Sequence, residues 1–407
     1  MPHVAWSDAF LTAIRQLGDP VGDAALHAIF QRHDDAELNA LMAKVVANDE
    51  LPDDLPVEIR SFLEQTSALP TWAVPRRISE AQRLFNLYGL ISLASLVCAS
   101  LPECYTMRTG VRILDLTGQL GEHTNRRLHQ TAMMVLAVMG KDGLAPNGVG
   151  VRQAQKVRLI HAAIRYRILG AIGAPGVPSS VGEGVPASIP GAVRSVADVI
   201  RHRQFDWQID RDGYPINQED LAFTLLTFGY VIPRGMRTLG VRLTEDEFKS
   251  FLHAWNVIGT VMGVHEDLMA HTPEQAEELF ERIKARQAGA SAAGARLTDA
   301  LLKVVERDVL RFGPARPFGP ILLRILVGDD TAKMLGLNTR HSWFVRMVHL
   351  TIAGLLGQFN AVVGRLWRRQ TPLTFLSARL GMRLVNLLVE ATYKRKGVHL
   401  AIPAGWR

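Results

Sequence analysis

The chain has 407 residues, nearly half of them apolar, with 46 Lys and Arg against 39 Asp and Glu and a net charge of +7. That length and apolar share allow a large core. The mild positive balance lacks the dense basic face expected of a nucleic-acid-binding protein, so nucleic-acid partners are not expected.

The N-terminal MPHVAWSDAF has no charged segment followed by an apolar one, so no signal peptide is read. The expected location is the cytoplasm as written, or outside the cell if a leader has been removed. Helical periodicity then dominates the chain. DDAELNALMAKVVAN opens on acids and repeats apolar residues at helical spacing. PRRISEAQRLFNLYGLISLASLVCAS continues the pattern, with Ser79 and Glu80 near its start. Cys98 and Cys104 lie in or just after its apolar end, where two thiols are expected rather than a disulfide. TNRRLHQTAMMVLAVMG is expected to be capped by Thr124 and stopped by Gly140.

Helix signals continue downstream. TEDEFKSFLHAWNVIGTVMG starts on Thr244 and three acids. TPEQAEELFERIKARQAG has Thr272 as its cap and Pro273 at the first helical position. Two further helices are expected at 342–368 and 373–393. The stretch FVRMVHLTIAGLLGQFNAVVG is broken by Arg346 and His349, so no transmembrane segment is expected. RLWRRQ and YKRKG concentrate positive charge late in the chain. They read as solvated surface, or as a peripheral contact with an anionic surface.

One segment departs from this pattern. GAIGAPGVPSSVGEGVPASIPG, residues 170–191, is too rich in Gly and Pro for a long helix and is expected to be a loop beside a binding site. Because the segments on either side are alike, residues 1–407 read as a single helical domain.

Just before that loop stands KVRLIHAAIRYRI. Residues turn about 100° each on a helix, so Val157, Ile160, Ile164 and Ile168 share a face. His161 falls at its edge, roughly 40° from Val157, and Arg158 and Arg165 lie further round. A buried imidazole needs a hydrogen bond or a metal. Two nearby cations favour its neutral, ligating form. The arginines need anions. A haem meets all three demands, with iron for the imidazole and propionates for the arginines. The alternative is a core histidine, with Arg158 and Arg165 paired to Asp or Glu elsewhere. Upstream, Arg127, Gln130 and Thr131 share one face beside Met134 and Val138. They are placed either to line the far side of a shared pocket or to form a surface stripe.

These segments, with DGYPINQEDLAFTLLTFGYVI, resemble the rubber oxygenases, or latex-clearing proteins, and the related MpaB-type oxygenases. The resemblance runs over about 72–268 and matches Arg-x-x-His-x-x-x-Arg at Arg158, His161 and Arg165. It implies an all-α fold: a single large helical bundle with a globin-like three-over-three core and extra helices, holding one haem b. His161 would be the proximal iron ligand, with Arg158 and Arg165 beside it. Arg127 and Thr131 match the distal arginine and threonine. Gln130 stands where the characterised rubber oxygenases carry a lysine, which leaves the sixth iron position open to other occupants.

The implied reaction uses dioxygen to cleave a carbon–carbon double bond of an apolar, polyisoprene-like or smaller isoprenoid substrate. Arg127 and Thr131 would donate hydrogen bonds on the distal side, and Thr224 or Thr227 would face the haem edge. The reaction also calls for a carboxylate base. Glu103, Asp115 and Glu122 are nearby, but none matches residue by residue. Two other readings stand beside this one: a haem protein with another small lipid substrate or a sensing role, and a helical binding protein without haem. Nucleotide and hydrolase motifs (GxxxxGK[ST], GxGxxG, GxSxG, HExxH) are absent.

Overall fold

A computed structural model describes residues 6–30, 32, 55–118, 123–146, 148–174, 205–306 and 318–337, with backbone alone at 117, 118, 123–130 and 318. The helices expected at 34–48, 342–368 and 373–393, and the Gly/Pro-rich segment beyond residue 174, lie outside these residues. Among the described residues every regular element is helical, apart from an isolated antiparallel bridge between Met107 and Ala288. No single described helix is long and apolar enough to cross a membrane.

Several helix starts follow the residues that predict them. Thr244 forms a reciprocal capping box with Glu247 at the head of Glu245–Val261. Thr272 caps Pro273–Gln287 by accepting the Gln275 N–H. The apolar run at 75–105 is not one rod. Pro75–Leu87 ends at Tyr88, and the chain turns by 93° into Gly89–Tyr105.

Two π-helical turns interrupt the core, Leu96–Ser100 and Thr227–Val231. Each ends just before a Leu/Ile–Pro pair, Leu101–Pro102 and Ile232–Pro233. Proline lacks the N–H for the bond to residue i−4, and its ring crowds that carbonyl, so the preceding turn widens. The two wide turns pack against each other.

Val149–Ala171, the histidine helix, lies between two partners, His123–Met139 and Pro20–Phe30. Gly150 sets its distance from the first: a Cβ there would sit 2.7 Å from the Val138 Cα. The core side chains behind it include stacked rings, Phe223 with Phe280 at 4.8 Å and Phe228 with Trp255 at 4.7 Å between centroids. Such pairs add about 1 kcal/mol each beyond area burial.

Candidate functional site

The histidine helix, His123–Met139, Gln218–Leu226 and Glu245–Val261 do not close fully on one another. They surround a cavity of about 290 Å³. Leu101, Met134, Ile160, Ile164, Leu225 and Phe228 make most of its wall apolar. Into this wall His161, Asp220, Thr131, Thr224, Cys104 and Trp255 bring polar atoms.

His161 Nδ1 is buried and has no hydrogen-bond partner among the described residues. Burial, reinforced by the Arg165 charge and opposed by Asp19, pushes its pKa down to about 4. The ring is therefore neutral at pH 7 and has a lone pair available. Among the described residues no three His, Cys, Asp or Glu side chains converge on a point. The described residues therefore offer His161 no set of companion side chains that would complete a protein-only metal site.

The two arginines expected to bind the cofactor, Arg158 and Arg165, do not line the cavity in this structure and are held by carboxylates. Arg158 makes a two-pronged bond to Asp19, Nε to Oδ2 at 2.6 Å and Nη2 to Oδ1 at 2.7 Å, and donates to the Val261 carbonyl at 2.9 Å. Arg165 donates to Asp23 Oδ1 at 2.7 Å and to the Ile216 carbonyl at 3.3 Å. Both guanidiniums are buried, and carboxylates at the head of the Pro20–Phe30 helix already satisfy the charge that a propionate would have met. Gly263, at φ +80°, makes room for this pairing: a Cβ there would sit 2.8 Å from the Arg158 guanidinium.

Thr227 also departs from its expected place. It is fully buried, donates to the Thr224 carbonyl at 2.7 Å and lies 3.3 Å from Cys104 Sγ. Thr224 is the threonine of that pair that lines the cavity. On the opposite wall Thr131 lines it as well, while the side chains of Arg127 and Gln130 lie outside the described residues. Cys98 and Cys104 form no disulfide. Of the nearby carboxylates, Glu103 is buried against Arg234 and Lys284, Asp115 pairs with Arg296, and Glu122 lies outside the described residues.

Asp220 is the site residue that the sequence reading missed. The PINQED segment explains its placement. Ile216 sits at φ +51°, a strained conformation for a β-branched residue, and Arg165 holds its carbonyl. Asn217 caps the following helix by accepting the Asp220 N–H at 3.0 Å. Gln218 ties Gly18, Gly263 and His265 together. Two adjacent acids follow and point about 100° apart. Glu219 turns to Arg15, Arg286 and Gln287, and Asp220 turns to the cavity. Burial pushes the Asp220 carboxyl up to about 7, against the pull of Arg15. An N-cap Asn followed by paired acids at the head of an apolar helix was the available signal.

The two shifts have opposite linkage signs. Between pH 6.5 and 4 the unfolded chain protonates His161 and the folded chain does not, so acid removes stability. Over the same window folded Asp220 holds a proton that the unfolded chain, with an ordinary value of 3.8, has released, so acid adds stability. Each amounts to about 3 kcal/mol across that window, and in the wild type they oppose. Asp220→Asn is therefore expected to lose about 3 kcal/mol more than the wild type on going from pH 6.5 to 4. Urea denaturation of the cofactor-free proteins at the two pH values measures this, and equal losses in both would contradict the Asp220 assignment.

Together these features describe an all-helical protein built around an apolar chamber with one neutral imidazole in its wall, whose Nδ1 has no partner among the described residues. Residues 87–356 match the family described as ER-bound oxygenase mpaB/B'/Rubber oxygenase, catalytic domain, and the chain belongs to that family. It is an enzyme of the oxygenase class. It is 25% identical over 334 residues to a rubber oxygenase from Streptomyces sp. (strain K30), covering 78% of this chain and 70% of the relative. Its fold is similar to that of a latex clearing protein solved in the closed state, with a TM-score of 0.68, 21% identity and 96% of each chain covered.

Proposed function

We propose that this chain is a haem b-dependent oxygenase that cleaves or oxygenates a carbon–carbon double bond of an apolar alkene or isoprenoid, with dioxygen as co-substrate. The observation that carries this reading is His161. A buried, neutral imidazole with an unpaired nitrogen, set in an apolar wall, suits a haem iron and little else in that chamber. Among the described residues His161 is the one histidine lining the cavity, which suits a porphyrin that brings four nitrogens of its own. Family membership and the rubber-oxygenase relative support the alkene substrate.

Haem bound there supplies an iron at which dioxygen is activated. The protein's part is to hold, orient and keep dry. His161 would ligate the iron. The Thr131 hydroxyl would donate a hydrogen bond where negative charge develops on oxygen. Leu101, Met134, Ile160, Leu225 and Phe228 would bind the hydrocarbon and displace water from around it. A cavity of about 290 Å³ suits a short isoprenoid or one stretch of a longer chain at a time.

The chain reconstituted with haem is expected to show a strong Soret band. It is also expected to consume dioxygen with polyisoprene or short terpenes, leaving aldehyde and ketone ends that hydrazine reagents trap. A colourless protein with no dioxygen uptake would overturn the proposal.

A further inference from the structure

We propose that Asp220 is a catalytic residue of this cavity, the group that takes a proton from the bound hydrocarbon and returns it to a product oxygen. The inference rests on the oxygenase reading above and identifies the proton carrier that reading lacks.

The first observation is position. Among the described residues Asp220 is the one carboxylate that lines the cavity, and it shares that lining with His161 and Thr131. The second is partnering. Its neighbour Glu219 is fully buried and bound by Arg15, Arg286 and Gln287. Asp220 receives a single side-chain hydrogen bond from the described residues, from Asn217 Nδ2 to Oδ2 at 3.0 Å. The charged groups near it are Arg15, whose guanidinium bonds Glu219 and the Asp212 carbonyl, and Glu219 itself. From the facing walls the described residues add His161 as a titratable imidazole, Cys104 and Tyr105 as weak acids, and the hydroxyls of Thr131 and Thr224. An amide-bonded carboxylate with no direct ion pair among the described residues, in an apolar chamber, is poised to change protonation state near neutral pH. Burial holding its carboxyl near 7 agrees with that geometry.

The balance closes without another reagent. Cleavage of an alkene by one dioxygen gives two carbonyls, and dioxygen is the oxidant. As dioxygen forms a C–O bond to the alkene, the carboxylate takes one allylic proton. It returns that proton to a product oxygen as the C–C and O–O bonds break to one carbonyl and one enol. Tautomerisation of the enol restores a hydrogen to carbon, so the products are two carbonyls and the carboxylate ends each turnover as it began. Asp220 is also the third residue of its helix, and a purely structural role there is the competing explanation. Asp220→Asn keeps an oxygen to accept the Asn217 bond and so separates the two.

The test uses wild-type, Asp220→Asn and Asp220→Glu chains, each loaded with haem to equal Soret intensity. Wild-type cleavage of a short isoprenoid is expected to rise with pH through about 7. Asp220→Asn is expected to be slower by on the order of 100-fold or more and to lose that rise, with Asp220→Glu recovering part of it. Infrared difference titration of the haem-free chains gives a second readout. A protonated-carboxyl stretch that disappears with a midpoint near 7 in the wild type should be missing from Asp220→Asn. An unchanged rate–pH profile in Asp220→Asn, or an infrared band that survives the substitution, overturns this proposal and leaves the oxygenase reading intact. A haem-loaded wild type that consumes no dioxygen with any alkene overturns both.

Discussion

A His161→Ala variant is expected to lose haem affinity by well over 100-fold and to emerge from purification nearly colourless. Substitutions of groups that merely orient a metal ligand already weaken binding by roughly 10- to 100-fold, and here the ligand itself is removed. Among the described residues no other histidine lines the cavity. His27 and Tyr166 belong to another ring cluster, and His253 and His271 surround Trp72. The apolar wall alone would still attract a porphyrin weakly, so a broad, shifted absorbance is expected rather than a complete absence of binding. Titrating haem into both proteins and following the Soret band measures the difference. An unchanged band position and affinity in His161→Ala would move the iron ligand elsewhere and remove the main support for the proposed function. Because alanine also relieves the burial of an unpaired Nδ1, cofactor-free His161→Ala should be no less stable than a simple loss of side-chain contacts implies.

The second large effect concerns folding. Asp19→Ala is expected to destabilise the chain by about 3–5 kcal/mol, the usual result of leaving a buried cation without its partner. Asp19 is 2% exposed and binds both Nε and Nη2 of Arg158, with Arg165 Nη2 at 3.9 Å. Removing it leaves Arg158 with the Val261 carbonyl but no carboxylate among the described residues, and Arg165 with Asp23 as its one carboxylate there. A fall in the urea midpoint at unchanged slope would register the loss. Replacing Arg158 with Met together with Asp19→Leu is expected to recover much of it, since neither charge is then buried alone. If Asp19→Ala shifts stability by less than about 1 kcal/mol, the pair is not holding the Pro20–Phe30 helix against the histidine helix as described.

These two results would separate functions that adjacent positions on one helix carry. The Arg-x-x-His-x-x-x-Arg spacing is legible in sequence, and it places one imidazole at the edge of an apolar face. What each member touches is not legible. The arginines lie about 80–100° round from Val157, and that arc points to whatever the fold packs there. The fold packs Asp19 and Asp23, roughly 140 residues upstream. The alternative considered for the arginines, carboxylates elsewhere in the chain, is the one the structure contains. Arg165 links the two sides of the site by gripping the Ile216 carbonyl at the strained turn ahead of Asp220.

Other elements divide in the same way. Thr244 and Thr272 cap helices as local pattern predicts, because a cap needs only the next three residues. The stretch over 75–100 reads as continuous helical pattern, yet the chain turns sharply at Tyr88–Gly89 and widens before Pro102. The proline was visible in the sequence, but its consequence for packing against the Thr227–Val231 turn was not. Thr224 and Thr227 are three residues apart, and the widened turn decides which of them meets the cavity.

Taken alone, the sequence determined the all-helical class, the family and the place of His161 at the edge of an apolar helix face, because periodicity, capping and short motifs are local and survive without knowledge of neighbours. Only the tertiary structure decided which charges cancel, which carboxylate is left facing the cavity, and which threonine lines it. Those outcomes depend on pairings between segments more than a hundred residues apart, and on burial, which no stretch of chain sets for itself.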